Sequence, residues 1–555
     1  MNIKNPRAFS AIAIALLIVV GVCAYINCLG NAMFWDDDDF ILKNRFIKDW
    51  HYFPQFFTQN LVAGGYLVSN YWRPLLLTIF AVEWHLWQTW VYGWHIISVG
   101  AHIGAGVLLY FLLNRLFNRP ALSLVVAAIF ITHPVHNEAV VYVNSLGDSL
   151  ASIFVFSGLL FYAKFRRSGA RAPLSPWYYF SVLALPLGIM SKETGFILAA
   201  LLPFTDFLIL LKGPFWKRLA KTLSAAWPFL ALAIVYVVLR ATVLNFSNSF
   251  NFYNEDNEFT SSMFLRLLTF FKAISQYAGF LFFPHDPRVE RQMPWARSVF
   301  EPDVLFGGLL VAGMLWLGLR LWQKKPLVSY GFGWFFITIA PTSNVLVPIN
   351  AVLYEHFLYM PMIGIALVTT DTVMQWGRQK NLGPTLAKVF TVVLVLFIGV
   401  NLRRNLDWRT AIGFYENLVE QKSAHGEPVN YRVINNLGME YANKGFHAKA
   451  EATYLKAIAM DPNNPVAYHN IAGTYRDTGR TALAIAHFKK AIALNPKFIF
   501  SYRALAQLYF NTGDFEGSRK YLLVAAQFDP EDQTVRQGLR LVDEKLRATK
   551  GSFHP

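Results

Sequence analysis

The chain has 555 residues, of which 55% are hydrophobic and only 15% charged. Soluble proteins carry about a quarter charged residues, so an entirely soluble fold is excluded. The net charge of +16 does not imply nucleic acid: basic residues sit in short loops between apolar runs and form no aromatic-interleaved stripe.

The first apolar run, 9–29, follows Lys4 and Arg7. It is longer than a signal-peptide core and more such runs follow, so it reads as a retained anchor with a cytoplasmic N-terminus. Cys23 and Cys28, the only cysteines, lie in it. They lack zinc-site spacing and partners and read as apolar packing residues. Asp36, Asp37, Asp38 and Asp39 come directly after. Packed carboxylates repel, so at least one is expected to titrate high. A carboxylate held at a membrane surface suits a general base or a cation ligand; the plainer reading is a solvated charge run. Arg73, in Tyr71-Trp72-Arg73-Pro74, is a fixed cation suited to a phosphate. His95 and His102 share one helical face, where satisfied polar residues between helices are an equal reading.

His133-Pro134-Val135-His136-Asn137-Glu138 comes next, followed by Asp148. Its spacing is not that of a metalloprotease helix, so hydrogen bonding to a sugar or phosphate is at least as good a reading as metal. Ser191-Lys192-Glu193-Thr194-Gly195 and Tyr354-Glu355-His356 each put charge at the end of an apolar run.

Eleven apolar runs are predicted to span: 9–29, 94–113, 121–132, 149–164, 177–190, 194–211, 222–240, 303–322, 328–345, 359–376 and 386–401. Basic loops at 114–120, 164–171, 212–221, 324–325 and 378–380 are then cytoplasmic. This requires that 263–283, which carries Arg266 and Lys272, be interfacial or re-entrant on the outer side. A twelfth crossing there would flip everything after it. With eleven crossings, regions 30–93, 133–148, 191–195 and 342–358 share the outer side with the C-terminal domain. Ionisable groups at membrane depth are costly, so their gathering on one side points to a site there.

From 403 the sequence reads as soluble. Pro428, Pro462, Pro496 and Pro530 are each 34 residues apart. Tyr441, Tyr475 and Tyr509 hold that phase, as do Gly445, Gly479 and Gly513, and Ala457, Ala491 and Ala525. Gly438 is followed in phase by Ala472 and Ala506. A 34-residue period with small residues where helices touch is the tetratricopeptide (TPR) signature. Three repeats are predicted, with 532–548 as a capping helix. Such arrays bind peptide or protein surfaces; a spacer or oligomerisation role is the plainer alternative.

These motifs, in order, resemble the transmembrane and TPR-containing protein O-mannosyltransferases, which are C-type (GT-C) glycosyltransferases. FWDDDDFILKN resembles the family's aromatic-Asp-Asp segment, with Ile41 and Asn44 in register, and places its acidic pair on Asp36 and Asp37. YWRPL, WHIISVGAH, HPVHNEAV with GDSLA, SKETG with Asp206, and SNVLVPINAVLYEHFLYMP resemble its further blocks. The resemblance covers nearly the whole chain. Two positions depart: His356 and Leu146 stand where the family has arginines.

The resemblance implies an all-α, polytopic GT-C-like membrane domain over 1–402. A linker and entry helix at 403–427, TPR repeats at 428–530 and a cap and tail at 531–555 follow. It implies inverting transfer of mannose or another hexose from a polyprenyl- or dolichyl-phosphate donor to Ser or Thr of a protein. Asp36 or Asp37 takes the hydroxyl proton. Arg73, Lys192, Arg240 and His356 are the candidate phosphate cations. His133, His136, Glu138, Asp148, Glu193 and Glu355 are candidates for holding sugar or acceptor. No metal is required, though an Asp–His–Glu cluster is compatible with a divalent cation. Expected partners are the lipid-linked donor, the membrane and an acceptor protein held by the TPRs. The expected location is a bacterial inner membrane or endoplasmic reticulum, with site and TPRs on the periplasmic or lumenal side. The competing classes are a membrane-anchored TPR scaffold, a transferase acting on a lipid or glycan, and a lipid-linked-sugar transporter.

Overall fold

The structure is a computed structural model that describes residues 6–169, 174–247, 257–284, 291, 293–424, 429–528 and 532–551. Helices, with no strand, make up the ordered elements among the described residues. The chain divides into two compact units, Met1–Thr410 and Ala411–Pro555.

The first unit contains α1 (Pro6–Tyr25), α2 (Pro74–Trp87), α3 (Val91–Phe117), α4 (Pro120–Thr132), α5 (Leu146–Ser168), α6 (Pro176–Ser191) and α7 (Leu198–Thr205). Then come α8 (Phe215–Ala241), α9 (Met263–Phe282), α10 (Pro302–Leu321), α11 (Pro326–Ile339), α12 (Pro361–Gln379) and α13 (Gly383–Asn405). Many of them open on proline: Pro74, Pro120, Pro176, Pro302, Pro326 and Pro361. Its missing N–H costs nothing in the first turn, and its fixed φ suits a helix start.

All eleven predicted spanning segments lie on helices. Among the described residues, seven helices are long and apolar enough to cross a membrane, and eight if α4 and the short helix after it, bent by 50°, form one span. Three predicted runs are not among them: α6 has 16 residues, α11 has 14 because it stops at Ile339, before Pro341, and α12 has 19 but carries Asp371 and Arg378. The predicted run 328–345 therefore overshoots its helix.

The segment 263–283, expected to be interfacial or re-entrant, forms one unbroken 20-residue helix, α9. Its two cations are satisfied. Arg266 Nε donates to Val345 O at 3.3 Å, and Lys272 Nζ sits 2.9 Å from Glu301 Oε2. Near its end, Leu281 O accepts from His133 at 3.0 Å.

Arg–Asp pairs stitch one end of the bundle. Arg166 binds Asp206 through two nitrogens and Arg119 pairs with Asp371. Asp206 is fully buried in that pair, at the far end of α7 from Lys192 and Glu193.

The second unit contains α14 (Ala411–Ala424), then the pairs α15 (Tyr431–Asn443) with α16 (His447–Met460), α17 (Pro465–Asp477) with α18 (Thr481–Leu494) and α19 (Ile499–Asn511) with α20 (Phe515–Phe528). Each pair turns on a left-handed glycine: Gly445, Gly479 and Gly513 have φ of 78°, 74° and 83°. The residue after each glycine donates its N–H to the phased tyrosine's carbonyl, Tyr441, Tyr475 or Tyr509, at 2.8, 2.8 and 2.9 Å. A side chain at this φ is strained, so the glycines are required. Ala457, Ala491 and Ala525 are buried where helices meet. The cap is α21 (Gln533–Gly551), and its Val535 and Val542 pack with Leu522 and Ala525. Pro428 and Pro530 lie outside the described residues.

Candidate active site at one end of the bundle

The four aspartates have separate environments. Asp37 turns inward, 2% exposed, and its Oδ1 accepts the Asn144 N–H at 2.9 Å. Asp36 is half-buried, with its backbone N–H donating to Tyr142 Oη at 3.1 Å. Asp38 and Asp39 face Lys43 at 3.4 and 3.6 Å. Burial raises Asp37 well above the usual carboxylate range; the Asn144 and Phe34 N–H groups oppose this, while Asp36 and Asp38 add to it. Ile41 and Asn44 are fully buried below, and Asn44 ties Phe40 O and Leu61 O together at 3.1 Å each.

Trp35, just before the pair, has φ of 62°. That conformation costs a bulky residue roughly 1–3 kcal/mol and needs surrounding support. Trp35 stacks on Tyr142 (5.8 Å) and on Trp408 (6.3 Å), and Tyr142 stacks on Trp408 (5.5 Å). Aromatic pairs supply about 0.5–1.5 kcal/mol each beyond area burial, which is enough to offset the strain.

The predicted charged residues form pairs, each joining two segments. Arg73 reaches Glu193 through Nε at 2.9 Å and Nη2 at 2.8 Å, and stacks on Tyr71. Lys192 Nζ lies 2.7 Å from Asp148 Oδ2. The turn that carries Lys192 and Glu193 presses Gly195 onto Gly188. A Cβ on Gly195 would come within 2.2 Å of the Gly188 backbone, so this approach admits only glycine. His356 Nδ1 lies 2.9 Å from Glu138 Oε1. Glu355 is held by Arg404 at 2.8 Å and Arg291 at 3.5 Å. Burial raises the Glu355 carboxyl, against the pull of those two arginines. These contacts gather the ends of α1, α4, α6 and α13 and the starts of α5 and α12 at one end of the bundle.

Three predicted residues serve the backbone instead. His133 accepts from the Val135 N–H and bonds Leu281 O, and His136 bonds Phe130 O at 2.7 Å. Both rings are buried. Arg240 donates to Leu244 O at 3.0 Å and Asn70 O at 2.7 Å. His102 bonds Tyr359 Oη and Ile131 O and is a satisfied polar residue between helices, while His95, also buried, bonds Asn31 O through Nε2. Among the described residues, no three His, Cys, Asp or Glu side chains converge as a metal would need.

The last helix carries a layer that sequence reasoning missed. Asn401, Arg404, Asn405 and Trp408 are all buried, on one helical stripe. Asn401 donates to Thr132 O, Arg404 to Pro134 O, and Asn405 to Ala24 O and Asn27 Oδ1. Asn137 donates to Asn405 Oδ1 at 2.7 Å and Asn31 to Asn405 O at 2.8 Å. The usable signal was the spacing of polar residues at i, i+3, i+4 and i+7 in an otherwise apolar run, at 401–408.

Fold and site together define a class: a helical, multi-spanning membrane protein with a buried ionic layer at one end of its bundle and a C-terminal TPR array. Tetratricopeptide repeat models match residues 431–464, 453–486 and 475–540. Over most of its length the chain is similar to proteins named as glycosyltransferases. A Caenorhabditis elegans protein named Protein O-mannosyl-transferase F38B6.6 is 23% identical, over 81% of this chain and 62% of its own. The Homo sapiens Protein O-mannosyl-transferase TMTC4 is 23% identical, over 78% of this chain and 64% of its own. The chain thus spans less than two thirds of the length of either relative. Among solved structures, the first TPR of Spaghetti (RPAP3) bound to an HSP90 peptide is 24% identical, with a TM-score of 0.21, over 21% of this chain and 94% of that one.

Proposed function

We propose that this protein is a membrane glycosyltransferase that moves a hexose, mannose in the first instance, from a polyprenyl-phosphate donor to Ser or Thr of a protein. The observation that carries this reading is Asp37: a buried carboxyl fixed by the Asn144 N–H, at the end of the bundle where the charged pairs collect. The names of the relatives supply the reaction class.

The mechanism follows from the chemistry. A hydroxyl is a weak nucleophile, so Asp37 takes its proton as the new bond to the sugar forms. Asp36, beside it and half-buried, orients the acceptor. The departing lipid phosphate gains charge and needs fixed cations. Glu193 occupies Nε and Nη2 of Arg73, leaving the Nη1 edge for a phosphate oxygen. Lys192 stands as a further cation, sharing its charge with Asp148, and His356, hydrogen-bonded to Glu138, is a further candidate to meet the phosphate. One displacement on the far face of the sugar inverts its anomeric carbon and needs no covalent sugar-enzyme. Glu138 and Asp148 hold sugar hydroxyls, while His133 and His136 shape the wall behind them. The TPR array holds the acceptor polypeptide.

The side of the membrane rests on α9. Its first half touches Val345 and its last turn touches His133. Both partners lie in loops at the site end. What favours its staying on the site side is composition: α9 carries Arg266 and Lys272 and is not among the helices apolar enough to cross. The eleven-span topology then puts site and TPR array outside the cytoplasm.

The test is mass spectrometry of exported proteins from cells with and without this gene. The expected result is loss of hexose on Ser or Thr of defined proteins; an unchanged set of modifications would refute the protein-transferase reading.

A further inference from the structure

We infer that Trp408, at the end of the last membrane helix, is a positioning residue that sets the acidic pair through a packed triad of aromatic rings. The inference rests on the role proposed above for Asp37.

Three observations carry it. Trp408 is 3% exposed and stacks on three side chains: Phe34 (5.9 Å), Trp35 (6.3 Å) and Tyr142 (5.5 Å). Phe34 and Trp35 immediately precede Asp36, and Tyr142 accepts the Asp36 N–H. The same wall therefore bears on the acidic loop from both sides: its incoming backbone and its first aspartate. Second, Trp35 has a left-handed backbone, at φ of 62°. A bulky side chain keeps that conformation only where its surroundings fix it, and the surroundings here are Tyr142 and Trp408. Turning Trp35 back to an ordinary φ would swing Asp36 and Asp37 off their present direction. Third, Trp408 is itself clamped. Asn405, one turn earlier, holds Ala24 O and Asn27 Oδ1, and Arg409 O accepts the Ala32 N–H at 3.3 Å. The end of α13 is thus tied to both ends of the segment that leads into the acidic loop. The ring has a firm seat, so its position is transmitted to the pair.

The chemical consequence is geometric. A base must meet the hydroxyl at hydrogen-bond distance, and a displacement near 1 Å costs up to roughly a hundredfold in rate. The ring contacts of Trp408 run to the acidic loop and to Tyr142, so its loss should fall on turnover and leave donor binding alone. It also keeps water from the aspartates. Asp37 faces Asp36 and Asp38 from its own loop and the Asn144 N–H and Tyr142 from the segment packed against it. Opening the wall lets water reach this group and moves the acidic limb of the pH profile to lower pH.

The test uses the full chain in nanodiscs, with polyprenyl-phosphate mannose and a Ser/Thr-rich peptide, alongside site-resolved carbodiimide labelling of Asp37 read by mass spectrometry. W408A is expected to lower kcat by roughly tenfold to a hundredfold with the donor KM unchanged, to shift the acidic limb down, and to speed Asp37 labelling. Labelling of Asp38 and Asp39 should stay constant. W408F, which keeps a planar ring, is expected to restore kcat. W408L fills the space without a ring and serves if W408A does not accumulate. Wild-type kcat and wild-type Asp37 labelling in W408A or W408L would overturn the proposal, as would a loss confined to the donor KM. Altered Asp37 labelling in a protein with no transfer activity would uphold Trp408 and sink the transferase reading. Transfer activity indifferent to residue 408 would do the reverse.

Discussion

Arg404 and Glu355 show what a buried ion pair demands, here with Arg291 as a second, looser partner of the carboxylate at 3.5 Å. The arginine side chain is 4% exposed and the glutamate's 5%, with 2.8 Å between them. Removing one partner leaves a buried charge and typically costs about 3–5 kcal/mol, whereas replacing both by apolar groups is close to neutral. R404M should therefore lower the melting temperature of the purified protein, with only Arg291 left facing Glu355 at 3.5 Å, and R404M combined with E355M and R291M should recover most of the loss. Glu355 already titrates high because it is buried. Below its pKa it is neutral, so the penalty of R404M should shrink as pH falls and be largest at neutral and alkaline pH. Equal melting of the single and triple variants would contradict this account. The residue scale also shows what spacing alone leaves open. Two histidines and a glutamate within six residues look like a ligand set, yet His133 and His136 hold the backbone carbonyls of Leu281 and Phe130. Sequence spacing reports which side chains are near each other, not which carbonyls have claimed them.

Among the elements, α9 decides the topology. Impermeant thiol reagents applied from outside should label cysteines placed at Met263 and Phe283, both exposed, in a background lacking Cys23 and Cys28. Labelling of the two positions from opposite sides would show that α9 crosses, and would move the TPR array to the cytoplasm. Elements differ in how far their sequences disclose them. The TPR helices were legible to within a few residues, because their period is local and each turn needs its own glycine. The cap predicted at 532–548 appears as Gln533–Gly551. The span 328–345 was less so, since hydropathy continues past Pro341 while the helix stops at Ile339. The stripe on α13 was overlooked because its meaning depends on Ala24, Asn27 and Asn31, more than 370 residues away in the chain. Cutting the membrane domain at 402 divided the stripe. The unit runs to Thr410.

For the whole molecule, the fold collects on one end of the bundle charges that the sequence scatters over nearly 400 residues. Asp36, Arg73, Asp148, Lys192, Glu355 and Arg404 come from six segments, and each is anchored by a partner from another. Position along the chain told which motifs exist, and alternation of basic loops told which share a side. The pairings themselves, such as Lys192 with Asp148 and His356 with Glu138, required the fold. The central claim is that Asp37 is the base of a glycosyl transfer from a lipid phosphate. Its direct test is hexose transfer to a Ser/Thr peptide by purified wild-type protein and D37N, measured across pH. The account predicts activity that rises with pH through a limb above the usual carboxylate range, because Asp37 must lose a proton that burial makes it hold. It predicts that D37N lowers kcat by at least roughly a hundredfold, with the donor KM little changed. D37N with wild-type kcat, or a wild-type profile flat from acid to neutral pH, would contradict it.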